Sequence, residues 1–343
     1  MEARHLHQFH LPDALNATTP PERRGVRRDH VQMMVLDRAT GQTQHETFFQ
    51  LDRFLKPGDL LILNASRTVP AVLKATRLAG AEHVEVRLAH RLDESVWQAL
   101  VVAQGVCIGE RLRFSPTLEA EVVAQQTGRP FVTLQFSREG AALYDEIYQL
   151  GEPVRYEYIH TDWGLDYYQT VYASVPGSVE MPSAGRAFSW ELLFKLQRKG
   201  VRLAYMQLHT GLSYLLDDRW HQDPRENIEQ YMIPQETVEA VEQCKAAGGR
   251  VIAVGTTVVR SLETAVDTDG ILRAQSGWTN LYIHDRYPLR VVDGLITGFH
   301  EPEASHLDLL SAFVKPELLY AAYQEAIDRQ YLWHEFGDMN LIL

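Results

Sequence analysis

Hydrophobic positions recur with a period of two near the start of the chain. The segment HVQMMVLDRATGQTQHETF (30–48) predicts two alternating strands around a Thr-Gly turn. LDRFLKPGDLLILNASR (51–67) follows, and it predicts a short amphipathic helix, a Pro-Gly turn and a buried strand over Leu60–Leu63. From about residue 71 to 150, short alternating runs such as HVEVRLAHRL and FVTLQFS are separated by Gly, Pro and acidic breaks. Because this stretch lacks helical periodicity, it predicts a small antiparallel β-barrel.

After Gly151 the pattern changes to helices that alternate with strands. Predicted helices are FSWELLFKLQRKG, PQETVEAVEQCKAAGG, TTVVRSLETAV, SHLDLLSAFV and PELLYAAYQEAID, and predicted strands are VRLAYMQLH, RVIAVG and GLITGFH. Such alternation is typical of an α/β fold with a mostly parallel sheet covered by helices. We therefore expect an α/β domain built from residues 1–70 and 154–343, with an inserted small antiparallel β-barrel domain over 71–153.

Composition and charge narrow the class of protein. The 343 residues are 45% hydrophobic, which argues against disorder, and the net charge of −12 argues against a generally cationic nucleic-acid coat. Cys107 and Cys244 lie far apart in the sequence, so we expect neither a disulfide nor a zinc site. We therefore also expect a cytoplasmic location. No secretory signal and no membrane-spanning stretch is predicted from the apolar pattern.

The stretch RVIAVGTTVVRSLET (250–264) changes from a buried strand to a helix at Gly255. In an open α/β sheet, ligands bind beyond the carboxyl ends of the strands, where free helix N–H groups favour an anion. Gly255 permits close backbone approach, Thr256 and Thr257 can cap the helix or donate to a carboxylate, and Arg260 lies about one turn further on. The alternative is that Thr256 is only an N-cap and Arg260 only a solvated side chain.

Two histidines, His209 and His300, follow strand-like runs and are predicted at the same sheet edge. A histidine there can act as a general acid or base near neutral pH, although a structural hydrogen bond is the alternative role. Pro182–Gly185 is a small-residue loop suited to close backbone approach. Arg67 is a candidate anion contact, and PERRGVRRD (21–29), which contains Arg23, Arg24, Arg27 and Arg28, is the best basic patch. No G-x-G-x-x-G or Walker A motif is present.

Several segments in this order resemble the S-adenosylmethionine:tRNA ribosyltransferase-isomerase family of queuosine biosynthesis. The most specific is RVIAVGTTVVRSLE, supported along the chain by VLDRATGQTQHETF, LKPGDLLILN, YQTVYA, VVDGLITGFH and the closing FGD. The resemblance implies an α/β domain with a smaller barrel. It also implies transfer and isomerisation of the ribosyl part of S-adenosylmethionine onto an aminomethyl-deazaguanine in a tRNA anticodon loop. Epoxyqueuosine would form, and adenine and methionine would leave.

With this resemblance, the predicted residues take roles. His209 and His300 are the catalytic candidates, and Arg67 and Arg186 are the candidate tRNA contacts. The candidate S-adenosylmethionine contacts are Ser183, Ala184, Gly185, Gly211, Gly255, Thr256, Thr257 and Arg260. S-adenosylmethionine is expected as a co-substrate, with no prosthetic group and no metal, in a monomer that does not bind membranes.

Polar loop positions depart from the family's usual pattern. Ala65 replaces an acid or amide, Ala187 a histidine, Ser213 a glycine, Asn227 a histidine and Gly298 an asparagine. Function depends on loops more than on framework, so two alternatives stay open. One is a divergent paralog that binds S-adenosylmethionine or a related nucleoside with another acceptor. The other is a non-catalytic module that binds tRNA or protein.

Overall fold

The computed structural model describes residues 9–213, 215, 223–302 and 304–343. Its strands are β1 (Gln32–Leu36), β2 (Thr43–Thr47), β3 (Leu60–Asn64), β4 (Ser66–Thr68), β5 (Val72–Arg77), β6 (His83–Arg91), β7 (Val96–Val102), β8 (Arg111–Arg113), β9 (Glu119–Gln125), β10 (Phe131–Phe136), β11 (Val175–Ser178), β12 (Arg202–His209), β13 (Glu229–Ile233), β14 (Val251–Val254), β15 (Gln275–Thr279), β16 (Gly294–Gly298) and β17 (Met339–Ile342). Its α-helices are α1 (Gly140–Leu150), α2 (Trp190–Arg198), α3 (Gln235–Ala246), α4 (Thr256–Thr264), α5 (Ser305–Leu310) and α6 (Pro316–Asp328).

A nine-stranded mixed sheet forms the body, in the order β15-β13-β12-β3-β14-β16-β17-β1-β2. The four neighbours β12, β3, β14 and β16 run parallel to one another. Strands toward both edges pair antiparallel, β13 with β12 and β15 on one side and β17 with β16 on the other. The predicted α/β class is confirmed, but the sheet is mixed and not mostly parallel, since four of its strand pairings are parallel and four are antiparallel. No helix among the described residues combines the length and apolar character that crossing a membrane needs.

Helices cover both faces of this sheet because its central strands are apolar on both sides. In β3, Leu60 and Ile62 pack with α3 and α4, while Leu61 and Leu63 pack with α2 on the opposite face. Continuous apolar runs of this kind are typical of parallel strands buried on both faces. The predicted N-cap of α2 is confirmed, since the Ser189 hydroxyl accepts a hydrogen bond from the N–H of Leu192 at 3.0 Å.

Strands β5 to β10 close into a six-stranded antiparallel barrel, as predicted. Its interior is filled by alternating apolar side chains such as Val86, Trp97 and Leu134, each at most 1% exposed. One expectation for this segment was wrong. The eleven-residue helix α1 lies inside 71–153 and packs Leu143 and Ile147 against the barrel, so the segment is not free of helix. The domain boundaries at residues 70/71 and 153/154 stay a prediction.

Candidate active site

The parallel centre of the sheet brings several predicted residues to one edge. β12 ends at His209, β14 ends just before Gly255, and β16 ends two residues before His300. Because these strands are parallel, the prediction that they end on the same edge is confirmed. Two strands, β3 and β14, lie between β12 and β16, a separation of roughly 14 Å at ordinary strand spacing. The two histidines therefore share an edge without forming a pair.

The turn at Gly255 lies beside the small-residue loop Pro182–Gly185. Gly255 has φ 101° and ψ 149°, a conformation essentially restricted to glycine, and its N–H donates to the carbonyl of Ile296 at 2.8 Å. A Cβ added there would lie 3.4 Å from the Cβ of Ala184. At Gly185, an added Cβ would lie 2.0 Å from the hydroxyl of Tyr172, so this position also requires glycine. Ser183–Gly185 forms a single 3₁₀ turn beside β16.

Helix α4 begins directly at this turn, with Gly255 as its N-cap residue and no side-chain cap. Thr256 is thus the first helical residue and not the N-cap. Within the described residues, the N–H groups of Thr256 and Thr257 have no hydrogen-bond acceptor. Free N–H groups at the positive end of a helix favour an anion. The use of this turn to hold a carboxylate stays a prediction.

The Arg260 guanidinium is bonded to other groups of the protein. It donates to the buried carboxylate of Glu229, and to the carbonyls of Leu281 at 3.1 Å and Asn227 at 3.3 Å. The same Glu229 carboxylate accepts from the N–H of Gly211 at 3.3 Å. Arg260 therefore holds β13 against α4, which leaves it poorly placed to bind a ligand carboxylate.

The structure changes the interpretation of both histidines. His209 shares a 2.7 Å hydrogen bond with the Ser66 hydroxyl, and burial and the Arg91 guanidinium lower its pKa to about 4. His300 shares a 2.7 Å hydrogen bond with the Thr297 hydroxyl, and burial lowers its pKa well below the ordinary value. Burial therefore favours the neutral form of both side chains, which suits accepting a proton better than giving one, and their catalytic role stays a prediction.

Beyond these residues, aromatic and acidic side chains form a contact cluster around Tyr158. The Tyr156 and Tyr158 rings stack with centroids 5.7 Å apart, and Tyr158 stacks on His334 at 4.2 Å. The Tyr156 hydroxyl donates to Glu180 at 2.7 Å, and the Tyr158 hydroxyl donates to Glu335. All five side chains keep partial solvent access, yet burial raises the pKa of Glu335 to about 7 and lowers that of His334 to about 4.

Two positions that depart from the family pattern lie beside His334 and Glu335 of this cluster. Ala187 and Gly298 line one narrow cavity of about 10 Å³, which is room for about one water molecule. Ser183, His334 and Glu335 line the same cavity, so the loop Pro182–Gly185 adjoins this cluster. The histidine and asparagine that the family pattern has at 187 and 298 are absent here, and His334 and Glu335 supply the polar groups of this cavity.

The other departures have structural partners too. Ser213 donates from its N–H to Glu180 at 2.6 Å, and Asn227 offers its carbonyl to Arg260. Ala65 follows β3, and its N–H donates to the carbonyl of Met206 at 2.8 Å. Gly211 packs against the barrel, where an added Cβ would lie 1.9 Å from the His90 ring.

The arginines predicted to contact tRNA differ in availability. Arg186 is 2% exposed, forms an ion pair with Glu22 at 2.9 Å and donates to the carbonyl of Tyr167, so its prediction as a phosphate contact is wrong. Arg67 is exposed and lies over the ring of Tyr148 at 5.8 Å. In the basic patch, the guanidinium groups of Arg23, Arg24, Arg27 and Arg28 all bond to protein oxygens.

Sequence reasoning missed the two carboxylates that matter most at this edge. Glu229 is the one acid that the stretch 224–229 keeps of the family pattern, and Glu335 directly precedes the FGD segment, but neither was predicted as a site residue. Their roles depend on residues far away in the chain, so no local pattern signals them. Among the described residues, no group of three or more His, Cys, Asp or Glu side chains has an arrangement that could hold a metal ion.

Comparison with known proteins identifies relatives along nearly the whole chain. Residues 5–342 match the family model described as "Queuosine biosynthesis protein". An S-adenosylmethionine:tRNA ribosyltransferase-isomerase from Carboxydothermus hydrogenoformans is 39% identical, and one from Trichlorobacter lovleyi is 37% identical, each over 98% of both chains. The crystal structure of an S-adenosylmethionine tRNA ribosyltransferase from Thermotoga maritima matches with 31% identity and a TM-score of 0.56, covering 98% of this chain and 100% of that one.

Proposed function

This chain belongs to the queuosine biosynthesis protein family, and from that premise we propose that it transfers and isomerises the ribosyl part of S-adenosylmethionine onto an aminomethyl-deazaguanine base in a tRNA anticodon loop. Epoxyqueuosine is the modified base that results, and adenine and methionine are released. The enzyme class is S-adenosylmethionine:tRNA ribosyltransferase-isomerase, with S-adenosylmethionine as co-substrate.

One observation carries this proposal, namely the contact of the Gly255 turn with Ala184 at the carboxyl edge of the parallel strands. The turn offers the unbonded N–H groups of Thr256 and Thr257 at the start of α4. A carboxylate such as that of S-adenosylmethionine fits these donors because they combine hydrogen bonding with the helix dipole. In the adjoining loop, Gly185 permits the close approach of the Tyr172 hydroxyl.

For proton transfer we assign Glu335 in place of the two histidines. The reaction needs a base that removes a proton next to the sulfonium. A carboxyl with a pKa of about 7 is half ionised at neutral pH, which suits a general base. The Tyr158 hydroxyl donates to this carboxyl and orients it. His209 and His300 are assigned to positioning through Ser66 and Thr297.

A second candidate is a paralog that uses the same ligand with another acceptor. It is favoured by the narrow cavity, where Ala187 and Gly298 lack the polar side chains of the family pattern and Glu335 and His334 stand beside them. A changed set of polar groups at one site alters the substrate that the site recognises.

The test is to incubate the protein with labelled S-adenosylmethionine and precursor-modified tRNA and to measure released adenine. Gly255→Ala is expected to weaken S-adenosylmethionine binding at least about tenfold, because alanine in this conformation costs about 1–3 kcal/mol and distorts the donor turn. Gly128→Ala is the matched control: Gly128 also has positive φ (76°) with open space around it, but lies in the barrel. Equal affinity in wild type and Gly255→Ala would remove the turn from the site, and no adenine with any tRNA would contradict the function.

Binding of tRNA is expected to depend on few cations, because the net charge is −12. Arg67 is exposed, so Arg67→Ala should reduce the slope of log affinity against log salt by about one unit, the contribution of about one phosphate contact. The measurement is a salt series of tRNA binding by filter retention. Arg286→Ala, at an exposed arginine whose side chain is 87% accessible, is the control with an unchanged slope. An unchanged slope in Arg67→Ala would exclude this contact.

A further inference from the structure

A second cavity lies on the α2 side of the sheet, next to the carboxyl ends of β3 and β12. Its volume is about 340 Å³, which is in the range of small-molecule sites. Three aromatic side chains line it, Tyr172, Trp190 and Tyr205. Ser174 and Gln207 add polar groups, and no charged side chain of the described residues contributes to the lining.

Polar side chains also line this cavity. Within the described residues, the hydroxyls of Tyr172, Tyr205 and Ser174 and the side-chain amide of Gln207 make no hydrogen bond. Tyr172 is only 7% exposed. Tyr205 and Gln207 are half-buried and Ser174 is exposed, so their polar groups are available to the donors and acceptors of a ligand in the cavity.

An aromatic surface continues outward from the cavity. Trp190 forms part of the cavity wall and stacks on Phe194 with centroids 5.9 Å apart and planes 24° apart. The two side chains are 48% and 52% exposed. Exposed, stacked aromatic rings beside a cavity are the arrangement with which proteins hold unpaired bases.

We propose that this cavity binds a nucleobase, with Trp190 stacked against it and with Tyr172, Tyr205 and Gln207 bonded to its polar edge. A nucleobase is flat, uncharged and rich in hydrogen-bonding groups, which matches the lining. A charged group of a ligand would have no oppositely charged side chain among the described lining residues. Tyr172 also contacts Gly185, so the cavity adjoins the loop beside Gly255.

The identity of the nucleobase rests on the proposed function. The base is either the adenine of S-adenosylmethionine or an unpaired base of the tRNA. The test measures the affinities of adenosine, S-adenosylmethionine and an unmodified anticodon stem-loop RNA by equilibrium dialysis. Trp190→Ala is expected to weaken adenosine binding roughly 5- to 150-fold, the usual effect of losing one stacking partner. Trp278→Ala, at a tryptophan on β15 that is 44% exposed, is the matched control with unchanged affinity.

Tyr205→Phe keeps the aromatic wall and removes one hydroxyl, so we expect a smaller loss of adenosine affinity with the fold intact. Weaker S-adenosylmethionine binding in both variants assigns the cavity to the adenosyl group, and weaker RNA binding assigns it to a tRNA base. Unchanged affinity for all three probes in both variants overturns the proposal. Adenine release by the wild-type protein is measured separately. The nucleobase proposal can therefore be contradicted while the proposed function holds, and the proposed function can be contradicted while the nucleobase proposal holds.

Discussion

Replacing Glu335 with glutamine is expected to lower the rate of adenine release about 10²–10⁴-fold, the usual contribution of a general base. Affinity for S-adenosylmethionine should change little, because glutamine keeps the size and the hydrogen bond to Tyr158. In the wild type, the rate should rise with pH through about 7 as the carboxyl ionises, and this limb should be absent in the variant. Rate–pH profiles of single-turnover reactions check both expectations.

The same substitution has a stability signature with a definite sign. Burial raises the pKa of Glu335 to about 7 from 4.5, and Glu180 adds to the rise, while the Tyr158 hydrogen bond and the Arg186 charge oppose it. The protonated carboxyl therefore contributes stability that is fully present below about pH 4.5 and is lost as pH rises through about 7. Glu335→Gln should be more stable than wild type at pH 8, with the difference vanishing below pH 4.5.

Tyr158→Phe separates proton transfer from a merely structural role of Glu335. Losing the hydroxyl that donates to the carboxylate should raise the pKa of Glu335 further and move the rate–pH limb upward. A Glu335→Gln protein with wild-type turnover, or a limb that stays in place in Tyr158→Phe, would remove Glu335 from the mechanism.

Replacing Arg260 with methionine is expected to destabilise the fold by about 3–5 kcal/mol, the usual effect of leaving a buried charge without its partner. Glu229 is 4% exposed and its carboxylate receives Arg260 and the N–H of Gly211. Adding Glu229→Gln to Arg260→Met removes the unpaired charge, so most of the loss should be recovered. Urea unfolding of the wild type and of the single and double variants measures this directly.

A surface ion pair of the same region supplies the control for that series. The Arg273 side chain is 57% exposed and pairs with Asp267 at 2.7 Å. Exposed pairs contribute about 0–1 kcal/mol, so Arg273→Met should lower stability by less than about 1 kcal/mol. Equal losses in Arg260→Met and Arg273→Met would mean that the charge pair between α4 and β13 is not buried in solution.

Periodicity predicted most elements because burial leaves a local trace in the sequence. The buried strands β3 and β14 and the helix α4 were predicted within a few residues of their observed bounds. Strands β13 and β17 were missed, since neither has the unbroken apolar run that marks β3 and β14. Glu229 and Gln230 begin β13, and Asn340 interrupts β17. Helix α1 was missed because the alternating runs around it dominated the interpretation of 71–153.

By itself, the sequence determined the α/β class with its barrel, the turn at Gly255 and the shared edge of His209 and His300, because these follow from local periodicity and from the direction of parallel strands. Only the tertiary structure decided the chemistry of that edge. The partner of Arg260 lies 31 residues away, and the pKa of Glu335 is set by burial first and then by Tyr158, Glu180 and Arg186. The charge state of a side chain and its availability to a ligand depend on its neighbours in space, and no local sequence pattern encodes these neighbours.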